Sequence, residues 1–267
     1  MNRINAAFER LAREKKKAFI PYVTAGDPDM AMSKKIVEAL SHSGADIIEL
    51  GIPFSDPLAD GPTIQKAIHR SLASGCKVHK VFGMVRELRK KVSVPLVFMT
   101  YYNIVFNYGV LRFIRDARSA GADGLIVPDL PMEESGDLIR AAREKDFCVV
   151  MLTAPTTYPE RFIKIAELSN GFIYYVSLTG VTGTRKDLSG DIRGKIREIK
   201  KLTSKPVCVG FGVSTPAQAH DICEEADGVI VGSALIKIIE KNILNKKLML
   251  SEISGFAESL AVSVHSK

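Results

Sequence analysis

Runs of five or six mostly apolar residues recur along the chain, and between them the apolar positions fall three and four apart. The runs are FIPYVT (19–24), IIELG (47–51), PLVFMT (95–100), GLIVP (124–128), CVVML (148–152), FIYYV (172–176), PVCVG (206–210) and GVIVG (228–232). Near-continuous apolarity, rather than apolar–polar alternation, predicts parallel strands covered on both faces. The stretches between them predict helices. In PDMAMSKKIVEALSHSG, Ile36, Val37 and Leu40 share one face and Gly44 marks the stop. STPAQAHDIC opens on a Ser or Thr cap and puts Pro216 in the first turn. Helical patterns over 2–16 and 246–262 flank the eight units.

A weak internal repeat supports one repeated βα unit. SGADIIEL, AGADGLIV and EADGVIV each end a helix with a small residue, then Asp, then a strand. KKVSVPLVF and KKLTSKPVCVG pair in the same way: a basic helix end, a polar turn, Pro and a strand. Proline can open a strand because its missing N–H is not needed there. Eight βα alternations in a chain of 267 residues predict an α/β fold, a (β/α)8 TIM barrel forming a single domain over 1–267, with an extra N-terminal helix and additional helices. An open doubly wound sheet fits less well, because the first strand ends in TAGDP and not in a Gly-x-Gly-x-x-Gly turn.

Composition narrows the class without identifying it. The chain is 46% hydrophobic and 25% charged, ordinary for a globular protein. The N-terminus lacks the apolar core and cleavage site of a secretory signal, and no window of 18 apolar residues free of charge predicts a membrane span. Cys76, Cys148, Cys208 and Cys223 form no paired framework, so a cytoplasmic location is expected. The five histidines are scattered without metal-ligand spacing, and no metal is expected. The net charge of +7 comes from helical faces such as REKKK, RELRKK and REIKK without interleaved aromatics. That pattern reads as solvated surface, neither a nucleic-acid platform nor a membrane surface, and can steer an anionic small substrate.

In such a barrel the chemistry sits at the C-terminal ends of the strands. Glu49 is a carboxylate inside an apolar strand, and burying it costs several kcal/mol unless something offsets the loss. Burial raises a carboxyl pKa and suits it to proton transfer near neutral pH. Asp60, in PLADGP, reads by itself equally well as a turn or helix-start residue, but the loop after strand 2 brings it to the same rim. Asp56 and Asp129 also lie at strand ends, and turn chemistry or partner contact is the better reading for both.

Glycines in the loops after strands 6, 7 and 8 give a second signal. SLTGVTGTRKDLSGD, VGFGVSTPAQ and VGSALIK each place glycines at a strand end, and the last two lead directly into a helix whose N–H groups an anion can approach where there is no Cβ. Gly183, Gly212, Gly232 and Ser233 are therefore assigned to a phosphate, and the long glycine-rich loop after strand 6 reads as a lid. Tyr22, Met99, Leu152 and Phe211, at other strand ends, are candidate walls for a flat apolar group. Within IYYV, periodicity leaves open whether Tyr174 or Tyr175 faces the cavity. These residues describe a barrel binding a small phosphorylated molecule with an apolar part, and two acids at its mouth point to proton-transfer chemistry without a metal or organic cofactor.

IELGIPFSDPLADGPTIQ (48–65), PYVTAGDP, GVTG, GFGVS and VGSA occur together and in order. On these motifs the chain resembles the tryptophan synthase alpha chain family over nearly its whole length. The resemblance implies a lyase of tryptophan biosynthesis that cleaves indole-3-glycerol phosphate to indole and glyceraldehyde 3-phosphate. It implies that Glu49 protonates indole C3 and helps deprotonate the glycerol hydroxyl, and that Asp60 hydrogen-bonds the indole N–H. It places the family's active-site tyrosine on Tyr174 and the lid threonine on Thr182. It further implies a beta-chain partner in an α2β2 assembly, with Asp56 at the interface and pyridoxal phosphate (PLP) held only by that partner. Leu178 departs from relatives that carry a polar or basic residue there. Two other readings compete: an alpha-like paralogue that binds and activates a beta chain without catalysis, and a different phosphate-binding barrel enzyme.

Overall fold

All eight apolar runs are strands in the computed structural model, which describes residues 1–176, 188–210 and 212–266. The chain enters through helix α1 (Arg3–Glu14) and then alternates: β1 (Ala18–Thr24), α2 (Met30–His42), β2 (Ile48–Gly51), α3 (Pro62–Ala73) and α4 (Val78–Leu88). It continues through β3 (Leu96–Met99), α5 (Tyr102–Tyr108), α6 (Val110–Ala120), β4 (Gly124–Ile126), α7 (Gly136–Arg143), β5 (Cys148–Thr153), α8 (Pro159–Leu168) and β6 (Ile173–Val176). Last come α9 (Leu188–Lys200), β7 (Val207–Gly210), α10 (Pro216–Cys223), β8 (Gly228–Val231), α11 (Ser233–Lys241) and α12 (Lys246–His265). Pro95 and Pro206 stand just outside β3 and β7, as residues lacking a ladder N–H should. The closing helix runs to His265, three residues beyond the apolar pattern that marks it.

Every strand pairs in parallel with its neighbours and β8 returns to β1, so the sheet is a closed (β/α)8 barrel. Starting from Tyr22, the register runs through Glu49, Val97, Gly124 and Cys148. Four residues further along β5, Leu152 leads through Tyr174, Cys208 and Gly228 to Ala18, four residues before Tyr22. The circuit therefore closes with a shear of about eight, the value that lets an eight-stranded barrel fill its interior with side chains. The strands are buried except at Leu152 and Val176 near the mouth, because helices cover the outside while inward side chains fill the inside.

Helix α1 closes the N-terminal end of the barrel. Asn2 caps it by accepting from Ile4 N at 2.9 Å, and its Nδ2 donates to the carbonyls of Asp123 and Asp146 at 2.8 Å each. Ile4 is fully buried, and any Cβ at Gly124 or Gly171 would come within 3.0 Å of its side chain. Those two glycines make room for the plug. The acids face the opposite, C-terminal end. No helix among the described residues is long and apolar enough to cross a membrane.

Candidate active site

Side chains alternate along a strand, so Ile48 and Leu50 of β2 face the helices and Glu49 faces the barrel interior. Glu49 is completely buried, and neither carboxyl oxygen has a hydrogen-bond partner among the described residues. Tyr22 is its register partner on β1. Two glycines give the mouth tyrosines their room: a Cβ at Gly51 would run into the Tyr22 hydroxyl, and one at Gly210 into the Tyr174 ring.

Asp60 reaches the same space from the loop after β2. The loop turns back through Leu58 N donating to Asp56 O at 3.0 Å and Asp60 N to Pro57 O at 3.1 Å. Gln65 Nε2 then donates to the Asp60 carbonyl at 2.7 Å, and Pro62 opens α3 directly behind it. The positive end of α3 thus lies beside a carboxylate. Asp60 is nearly buried; its Oδ2 accepts from the Tyr101 hydroxyl at 2.7 Å while Oδ1 has no partner. Tyr101 in turn accepts from Ala59 N at 2.9 Å, so one phenol ties the acid and its loop to the end of β3.

These environments separate the two acids. Burial, and then the nearby Asp60 charge, pushes the Glu49 carboxyl up to about 8. Burial also raises Asp60, but the Tyr101 hydrogen bond opposes the rise. Burial, the hydrogen bond to Asp60 and its charge push the Tyr101 phenol above its ordinary range. Burial drives Tyr22 and Tyr174 upward as well, so both phenols remain neutral at any working pH. The arrangement holds one carboxyl protonated near neutrality beside a second that keeps an unpartnered oxygen.

Glu49, Asp60, Tyr22, Met99 and Tyr174 line one cavity of about 500 Å³ at the mouth. Its far side is formed by Gly212, Gly232 and Ser233. Gly212 has φ +85°, the left-handed region where a side chain is strained. Gly232 precedes α11 with no side-chain cap, leaving the first N–H groups of that helix without the partner a capping side chain would supply. Acid chemistry and an anion cradle therefore stand at opposite ends of a single space.

The remaining candidates separate. Leu152 lines an adjoining apolar chamber of about 420 Å³ that meets the first at Met99 and Tyr174. Tyr174 is the tyrosine that faces the mouth. Tyr175, fully buried, faces the layer between the strands and α8 and α9. Asp56 is exposed, held by the Ser55 hydroxyl at 2.5 Å, and does not line the cavity. Asp129, also exposed, accepts from Tyr102 N at 2.8 Å at the start of α5. Thr182, Gly183 and Phe211, with Leu178, lie outside the described residues. Among the described residues no three His, Cys, Asp or Glu converge as metal ligands do. Tyr101 has a place in the site that the sequence reading missed; TYYN after a strand marks an aromatic rim but does not say which phenol turns inward.

The model of the family described as tryptophan synthase alpha chain matches residues 8–265. The chain is 47% identical over 264 residues to the tryptophan synthase alpha chain of Geotalea daltonii, covering 99% of each. It is 46% identical over 260 residues to that of Thermoanaerobacter sp. strain X514, covering 97% of this chain and 98% of the relative. The crystal structure of tryptophan synthase subunit alpha from Legionella pneumophila str. Paris superimposes with a TM-score of 0.92 at 39% identity, covering 99% of this chain and 98% of that one.

Proposed function

The chain belongs to the tryptophan synthase alpha chain family, and on that premise we propose how its residues divide the work of the family's reaction. The enzyme is a carbon–carbon lyase of tryptophan biosynthesis that cleaves indole-3-glycerol phosphate to indole and glyceraldehyde 3-phosphate. Glu49, carrying its proton near neutral pH, gives that proton to indole C3. The ring becomes an indolenine cation with its charge at nitrogen. Asp60 accepts the N–H hydrogen bond and stabilises that cation. The side-chain hydroxyl next to C3 then loses its proton to the Glu49 carboxylate. Its oxygen forms the aldehyde, and the electrons of the broken carbon–carbon bond return to the ring. Glu49 ends protonated, ready for another turn.

What supports this assignment is the complete burial of Glu49 with both oxygens unpartnered, facing the cavity that Asp60 shares. A group so costly to bury has a reason in chemistry. Tyr174 packs against the reacting ring as a neutral phenol. Tyr22, Met99, Leu152 and Phe211 form the indole pocket with Thr182 of the lid. Gly183, Gly212, Gly232 and Ser233 take the phosphate through backbone N–H groups. PLP has no role in this chain and belongs to the beta chain, the partner with which the family works. The same reading gives an α2β2 assembly with Asp56 at the interface, a single domain over 1–267 and a cytoplasmic location.

Indole release from indole-3-glycerol phosphate, measured with and without a beta chain, tests the reading. Glu49→Gln and Asp60→Asn each lower kcat by about 10³-fold or more with thermal stability retained. Near wild-type release by either variant sinks the catalytic assignment.

A further inference from the structure

We propose that Lys237 supplies the counter-charge for the substrate's phosphate, a binding residue beyond the glycine cradle. The inference rests on the phosphate reading above and deepens it. Among the described residues lining the cavity, Lys237 is the only lysine or arginine, against two carboxylates. A phosphate dianion entering that space meets Glu49 and Asp60 at one end, so a cation at the other end decides the orientation in which the substrate binds.

Helix geometry aims the side chain there. Lys237 stands four residues after Ser233 in α11, about one turn along the same face. Helical side chains lean toward the N-terminus, so the lysine stem runs back over the turn that carries Gly232 and Ser233. Ile238 and Phe256 line the same wall and offer the stem apolar support.

The other charged residues of the helix are engaged elsewhere. Glu240 lies 3.3 Å from Lys66 and 3.9 Å from Arg70, and Lys241 Nζ is 3.0 Å from Glu252. Lys237 makes no hydrogen bond or ion pair among the described residues. A solvent-facing lysine without a partner is ordinary; one at the anion end of a substrate cavity, one turn into the cradle helix, is placed to bind. A compact ammonium on a flexible stem adds charge to the directional hydrogen bonds of the backbone.

Lys237→Met should raise KM for indole-3-glycerol phosphate about tenfold, with kcat within about twofold of wild type. Inhibition by inorganic phosphate should weaken by a similar factor, and Lys237→Arg should restore most of both. The advantage of wild type over Lys237→Met should shrink as ionic strength rises, because the site is partly exposed. KM and phosphate inhibition unchanged in Lys237→Met overturn the proposal, as does equal loss in the Met and Arg variants. Direct calorimetric binding of inorganic phosphate to wild type and Lys237→Met needs no turnover. It judges the lysine even if the lyase reading fails, whereas absent indole release by wild type judges the lyase reading alone.

Discussion

The two ends of the barrel use carboxylates in opposite ways. At the N-terminal end, the three aspartates of the sequence repeat are each saturated. Asp46 accepts from Phe19 N at 3.0 Å and Arg10 at 2.7 Å, and is hydrogen-bonded to His265 Nε2 at 2.7 Å. Asp123 accepts from Leu96 N at 3.0 Å, Arg3 at 2.8 Å and Arg89 at 2.6 Å. Asp227 accepts from Val207 N at 2.9 Å and Lys200 at 2.5 Å. Each aspartate stands one or two residues before one strand and staples an N–H at the start of a neighbouring strand earlier in the chain. Burial pushes the Asp46 carboxyl up, but its hydrogen bonds outweigh that and hold it below the usual range. At the mouth, Glu49 has no hydrogen-bond partner among the described residues, and burial pushes it up to about 8. One end is built for stability and the other is left unsatisfied for chemistry.

Removing a staple should break this contrast most visibly. Asp123→Ala takes the carboxylate from three arginines, Arg3, Arg89 and Arg118, and from a strand N–H, so the loss should reach about 3–5 kcal/mol by urea unfolding. The folded fraction should keep its kcat, since Asp123 lies at the far end of the barrel from the cavity. A kcat loss larger than the folded fraction explains would mean the two ends are coupled.

The pH dependence sharpens the comparison. The folded state holds the Glu49 proton more tightly than the unfolded chain does. Its contribution to stability is thus fully present below about 4.5 and declines until pH passes about 8. The decline is on the order of a few kcal/mol, and Glu49→Gln should flatten it. Above about 8, where the stability decline ends, kcat should fall tenfold per pH unit as the acid form is lost. A Gln variant with an unchanged stability profile would place the titration elsewhere.

A smaller effect belongs to Tyr101. Tyr101→Phe removes one hydrogen bond to Asp60 and one acceptor for Ala59 N. Such a bond to a charged group is worth about 1.5–3 kcal/mol, so kcat/KM should fall about 10- to 100-fold. The Asp60 limb of the pH profile should also move upward, because the bond opposes the rise that burial causes. A purely structural role would leave that limb in place.

Much of this was legible in the chain. Eight apolar runs gave the barrel because parallel strands covered on both faces require that composition. Glu49 stood out because a lone acid in such a run is costly. Asp60 did not, since its neighbours fit a turn as well as a site. The ADI, ADG and ADG repeats were visible as a pattern, but their stapling of a neighbouring strand depends on pairing across some 20–27 residues. Tyr101 carried no signal distinguishing it from Tyr102. Lys237 read as one more charge on a helix face.

Local order therefore determined the elements, their sequence and the one acid whose burial needed explaining. Closure of the barrel decided the rest. Register through Leu152, Tyr174 and Cys208 turned Tyr174 inward and Tyr175 outward. The same closure put Asp60 in the cavity while Asp56 stayed at the surface and the exposed Asp129 at the rim of the adjoining chamber. The physical reason is that strand periodicity fixes which residues of one strand share a face. Which residues of different loops converge depends on the shear and tilt of the closed sheet, and no single stretch of sequence contains that.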